Sequence, residues 1–245
     1  MQETDSPKVY IPLMPEKLLQ GKLFYPLNGQ ILFWHEEWQQ YVITLISEDK
    51  QYTKQDYLQL PEGAPYQLIH GKLVFMPSPF TQHQRISRKL TFELELFLRE
   101  NPQGETFTAP IDVHFDEENI FQPDLLFVSI KRSNIIQKWI MGAPDFVVEI
   151  VSLSTEQADR TQKMETYGKH NVLEYWLINP QQEEVEVYHN HNRQMQHHQT
   201  AGKEDTITSK AIEGLELAVK RILNKIPASI QDAQCIFCPE GTKGL

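Results

Sequence analysis

The stretch APDFVVEIVSLSTEQADRTQKMETYGKHNVLEYWLINP, residues 143–180, decides the fold. It reads as strand, helix, strand: Asp145 to Val151, a helix capped by Ser154 and running to about His170, then Leu173 to Ile178. Phe146, Val147, Val148, Ile150 and Val151 are apolar on both faces, the pattern of a strand covered on both sides. Glu149 interrupts that pattern. A carboxylate in such a strand must be paired, neutral or bound to a metal ion, because an isolated buried charge is too costly. Lys163 stands four residues after Asp159 on the helix, a spacing that serves an ordinary exposed ion pair as well as a lysine aimed into a cleft.

Two acids in Pro-Asp pairs could work with Glu149. Asp145 lies on the same strand, roughly 13 Å away at ~3.3 Å per residue, too far to share a small ion. Asp124 heads a different strand, Phe121 to Val128. Neighbouring strands sit ~4.8 Å apart, so Asp124 and Glu149 meet if those two strands pair.

Upstream, Thr53 and Asp56 form a capping-box pattern before a short helix over Tyr57 to Leu60. Tyr66–Ile69 and Leu73–Met76 flank His70-Gly71 as a hairpin. Thr81 is the candidate N-cap of a helix whose Ile86, Leu90, Leu94, Phe97 and Leu98 repeat at helical spacing. Ile111 to Asp116 alternates like a half-buried strand, which places Asp112, His114 and Asp116 on its wet face. Lys131 to Gly142 reads as a polar connection with a short helix around Ile135 to Trp139. Val185 to His189 and Gln194 to Gln199 form a hairpin whose His189, His191, His197 and His198 read as surface histidines. Leu215 to Leu223 fits either an amphipathic helix or a last strand. The economical division is an N-terminal extension over 1–52 packing on the core, a core domain over 53–223, and a tail over 224–245 that holds Cys235 and Cys238.

The chain has 245 residues and a formal net charge of -10, a balance that argues against a non-specific nucleic-acid coat but not against a local basic patch around acidic ligands. No apolar run approaches the ~18 residues of a membrane span, and MQETDSPKVY does not read as a signal peptide, so a cytoplasmic location is expected.

The opening stretch, together with YQLIHGKLVFMPSP (66–79), His83 in the following helix and QPDLLFV (122–128), resembles the Uma-two family of endonucleases in the PD-(D/E)XK nuclease superfamily. The resemblance implies an α/β (α+β) fold with a restriction-endonuclease-like core, a mixed sheet flanked by helices. It implies that Asp124 and Glu149 ligate a divalent metal, Mg²⁺ or Mn²⁺. The superfamily lysine would fall two residues beyond Glu149, where this chain has Val151. In this family the lysine comes from the next helix, which matches Lys163, with His83 and Asp159 among the matched residues in support. The family usually carries Glu where this chain has Gln67, an amide that offers an oxygen but no charge.

The expected function is hydrolysis of phosphodiester bonds in DNA by a metal-dependent endonuclease. Asp124, Glu149 and Lys163 are its catalytic residues, and Arg85, Arg88, Lys89, Arg160 and Lys169 its phosphate contacts. The rival expectation, favoured by Gln67 and the negative charge, is a catalytically degenerate module that binds nucleic acid or a protein partner. A homodimer is a further expectation, with residues 1–50 as its interface.

Overall fold

The computed structural model describes residues 50–60, 63–152 and 155–224 in full, and the backbone of 25–27, 30–35 and 40–45. Ser154, Cys235 and Cys238 lie outside the described residues, as does most of the proposed N-terminal extension. Within that extension β1 (Tyr25–Leu27), β2 (Gln30–His35) and β3 (Gln40–Leu45) form an antiparallel meander.

The capping box forms as the sequence predicts. Thr53 and Asp56 bond reciprocally at the start of α1 (Lys54–Tyr57), so the helix begins three residues earlier than the hydrophobic pattern suggests. Next come β4 (Tyr66–Ile69) and β5 (Lys72–Phe75), joined by His70 and Gly71 with φ of 47° and 71°. Two successive positive φ values give the turn whose twist matches that of the flanking strands.

The long helix α2 (Thr81–Glu100) follows, with Phe80, not Thr81, at its N-cap and no side-chain cap bond. Then come β6 (Gly104–Thr108), β7 (Val113–His114), β8 (Ile120–Phe121), β9 (Leu125–Ser129), a 3₁₀ turn (Ile130–Ile135), β10 (Ile140–Met141) and β11 (Phe146–Ile150). The polar connection thus holds a 3₁₀ turn and a short strand rather than a helix at 135–139.

The crossover from β11 is not one uniform helix. It runs as α3 (Glu156–Ala158), a π-helical segment (Asp159–Lys163) and α4 (Met164–Lys169). After it come β12 (Glu174–Asn179), β13 (Glu184–His191), β14 (Gln194–Gly202), β15 (Thr206–Thr208), β16 (Glu216–Ala218) and the short α5 (Lys220–Leu223). The last predicted segment is therefore strand and then helix.

The central sheet has the order β14-β13-β12-β11-β9-β6, with β11 and β12 parallel and all other neighbours antiparallel. Strand alternation sorts its side chains into two cores. Leu125, Phe127, Phe146, Val148 and Trp176 face one way, onto Ile86, Leu90, Leu94 and Leu98 of α2. Each of those four helix side chains contributes about 2 kcal/mol of burial. Leu126, Val128, Val147, Tyr175 and Leu177 face the other way, onto Tyr167 of α4 and onto Ile69, Val113 and Phe121 of a second sheet. That five-stranded sheet has the order β10-β7-β8-β4-β5. The fold is mixed α+β, and Glu149 shares a strand face with Val147 while Asp124 shares one with Leu126.

His114 departs from expectation. It is 4% exposed and packed against Trp139, with both ring nitrogens unpartnered among the described residues. His114 is buried within the second sheet, while Asp112 and Asp116 on the same predicted face stay half-buried.

Candidate active site

Antiparallel pairing of β9 with β11 sets Leu125 opposite Val148, so the register carries Asp124 to a place across from Glu149. The two strands that had to pair do pair. Asp124 Oδ2 accepts a 2.7 Å hydrogen bond from the backbone N–H of Ile150, directly after Glu149. Nε2 of His83, on the first turn of α2, lies 3.0 Å from the same oxygen. Asp145 sits at the other end of β11, where its carboxylate accepts from Ser129 N at 2.7 Å and faces Arg132 at 3.4 Å.

Glu149 is 4% exposed and Lys163 only 1%. Oε1 of Glu149 accepts from Lys163 Nζ at 3.0 Å and from Tyr167 Oη at 2.6 Å. Lys163 Nζ also lies 2.9 Å from Asp159 Oδ1, a second ion pair to the same ammonium. The Asp159–Lys163 pair is therefore real but buried, and its ammonium points at Glu149 rather than into solvent. The π-helical segment that carries both residues is a local overwide turn of a kind that often marks functional sites.

Burial pushes the Glu149 carboxyl well above its ordinary range, opposed by the Lys163 ammonium and reinforced by the charges of Asp159 and Asp124. Burial pulls the Lys163 ammonium down, but Asp159 and Glu149 outweigh it and hold the group protonated. Two carboxylates, Glu149 and Asp159, thus share one ammonium. Burial and the Glu149 charge keep the Tyr167 phenol protonated, so it acts as a donor.

α4 is fastened to the second sheet at two points. His70 Nε2 meets Thr166 Oγ1 at 3.1 Å, and His170 Nε2 meets Asp116 Oδ2 at 2.8 Å. Gln67 on β4 is 1% exposed, and its Oε1 has no hydrogen-bond partner among the described residues. It shares a strand face with Ile69, whose side chain packs in the Tyr167 cluster. Asp124 Oδ1 and Glu149 Oε2 likewise form no hydrogen bond with a described residue. No group of three or more His, Cys, Asp or Glu side chains that could hold a metal occurs among the described residues. The two carboxylates, each with one oxygen free of hydrogen bonds to described residues, are the oxygen donors that the strand register brings together. That set fits Mg²⁺, which takes oxygen ligands, is commonly held by one or two carboxylates and retains several waters.

The basic residues divide. Arg160 forks onto Glu186 at 2.7 and 3.0 Å and reaches Glu156 at 3.0 Å, so its guanidinium is already paired with two carboxylates. Lys89 donates to the Asn224 carbonyl. Arg85, Arg88 and Lys169 are exposed. Tyr167 was missed by sequence reasoning, yet the signal was present: 159, 163 and 167 repeat every four residues on one helix face.

A family model described as "Uma2: Putative restriction endonuclease" matches residues 54–220. The chain belongs to the Uma2 family. Among curated proteins none matches. A crystal structure from Anabaena variabilis, of a protein described as "a putative nuclease belonging to DUF820", shares the fold. The similarity has a TM-score of 0.59 at 22% identity, covering 70% of this chain and 97% of that one. The Uma2 match spans α1 to the start of α5 and includes every site residue described above. None of the described helices is long and apolar enough to cross a membrane.

Proposed function

We propose that this Uma2 chain is a metal-dependent endonuclease that hydrolyses phosphodiester bonds in DNA. The observation that carries the reading is the buried Lys163 ammonium, 3.0 Å from a strand carboxylate that lies across a β-pair from Asp124. Asp124 and Glu149 would hold Mg²⁺ or Mn²⁺, with the Gln67 amide oxygen beside them. When bound, the metal supplies charge stabilisation at the phosphoryl oxygens and a more acidic water.

The protein's own parts have separable tasks. The Ile150 N–H and His83 fix the rotamer of Asp124 through one oxygen and leave the other available. Tyr167 and Lys163 do the same for Glu149. Lys163 offers its protons to charge that develops on the phosphate, in a site where burial strengthens that interaction. Arg85, Arg88 and Lys169 take flanking phosphates. Residues 53–223 form the nuclease domain in this reading, acting in the cytoplasm, with a homodimer as the assembly.

The test is turnover of labelled single-stranded and duplex DNA with Mg²⁺ or Mn²⁺. Cleavage that EDTA abolishes supports the proposal, and none with either metal overturns it. One observation favours the second reading, a binding module without catalysis: Gln67 is buried and neutral where the resembled family usually has an acid. DNA binding with no cleavage would select it.

A further inference from the structure

Phe80 is 79% exposed, more than any other large apolar side chain of the described residues. A single exposed apolar side chain is ordinary on a protein surface, so what singles out Phe80 is its position beside the site. Pro77 and Pro79 restrict the backbone just before it, so little entropy remains to be lost on binding. Phe80 is the N-cap of α2, a position that favours Ser, Thr, Asp or Asn, and it makes no side-chain cap bond. Three residues on, about one helical turn, His83 touches Asp124. Gln82 donates to the Pro180 carbonyl at 3.4 Å, just past β12. This end of α2 therefore stands beside the head of β9 and the carboxyl ends of the two parallel strands, with the ring outside it.

The adjacent helix surface is basic in a chain of net charge -10. Arg85 and Arg88 are exposed and form no ion pair with a described residue. Burial, then the charges of Arg88, Arg85 and Lys203, pull the Lys89 ammonium down, as expected inside a positive patch. An exposed ring followed by arginines matches a strand of nucleic acid, whose bases have apolar faces and whose backbone is anionic.

We propose that Phe80 is a base-stacking platform at the mouth of the site. It holds one unpaired base beside the phosphate offered to Asp124 and Glu149, while Arg85 and Arg88 follow the backbone. This inference rests on the nuclease reading and deepens it. A stacked duplex buries the faces a ring would cover, so the preferred substrate is single-stranded or locally unpaired DNA.

The test is fluorescence anisotropy of a labelled 12-nucleotide single strand and its duplex, in EDTA and again with Ca²⁺. Full-length wild type is compared with Phe80→Ala, Phe80→Trp and, as control, the exposed Phe92→Ala. Phe80→Ala should weaken single-strand binding about 5-fold to 150-fold, the range of one aromatic–base stack. Phe80→Trp should retain binding, its indole fluorescence should be quenched by the strand, and Phe92→Ala should bind as wild type does. Unchanged binding by Phe80→Ala, or an equal loss for duplex, overturns the platform. Binding that depends on Phe80 with no cleavage under any metal sinks the nuclease reading and leaves the platform standing. Cleavage with Phe80-independent binding does the reverse.

Discussion

The Lys163 ammonium lies 3.0 Å from Oε1 of Glu149, fourteen residues earlier in the chain, with both groups removed from solvent. A buried pair of this kind depends on both members. Lys163→Met should leave Glu149 and Asp159 facing each other without compensation and cost about 3–5 kcal/mol. Urea denaturation measures that loss directly, and a double variant with Glu149→Gln should recover part of it.

Tyr167→Phe removes one hydrogen bond to Glu149 and little volume. The expected cost is about 1.5–3 kcal/mol, the range for a bond to a charged acceptor. That bond lowers the Glu149 pKa, so its loss should raise it further. The pH profile of stability of the metal-free protein, followed by thermal melts, should therefore move to higher pH. A profile that keeps its shape while stability falls would assign Tyr167 a purely structural role.

The same carboxyl makes stability depend on pH in a definite direction. Its folded pKa is pushed up to about 8 from an ordinary 4.5, so between those values the folded state binds more protons than the unfolded one. Stability of the metal-free protein should therefore be full below about 4.5 in this group's contribution and fall as pH rises toward 8. Glu149→Gln should flatten that slope in thermal melts taken across the window. Glu186 acts in the opposite sense: its bonds to Arg160 and Tyr188 outweigh burial and lower its pKa, so its contribution is lost as pH falls through the acidic range.

Glu174 anchors a different region. Fully buried, it accepts from Trp176 Nε1 at 2.8 Å on one oxygen, and from Ser209 Oγ at 2.6 Å, Lys210 N at 2.9 Å and Ala211 N at 2.8 Å on the other. Glu174→Gln would turn amide protons toward donors. We expect a loss of about 2–4 kcal/mol from unsatisfied buried groups, with faster hydrogen exchange in β15 and β16.

The hairpin at 66–75, the stripe of α2 and the β11–helix–β12 crossover were legible because each is long or strongly patterned. Strand spacing singled out Asp124 over Asp145 as the partner of Glu149 but left their meeting conditional on the two strands pairing, which the structure supplies. The second sheet was legible only in part: its β4–β5 hairpin and a strand around β7 were read, but the two-residue β8 and β10 are too short to register, and how these pieces assemble into one sheet depends on tertiary neighbours. His114 was misplaced for the same reason. The π-helical segment was also hidden, because apolar spacing at 3–4 residues does not distinguish a uniform helix from one with an overwide turn.

The central claim is that Asp124, Glu149 and Lys163 act as one hydrolytic unit. The most direct measurement is nicking of supercoiled plasmid with Mg²⁺ or Mn²⁺ by wild type, Asp124→Asn, Glu149→Gln and Lys163→Met, each verified as folded by circular dichroism. The account predicts nicking by wild type that falls at least about 100-fold in every variant, since general catalytic groups are typically worth 10²–10⁴. Equal nicking by wild type and the three folded variants, or nicking that survives EDTA, would contradict it.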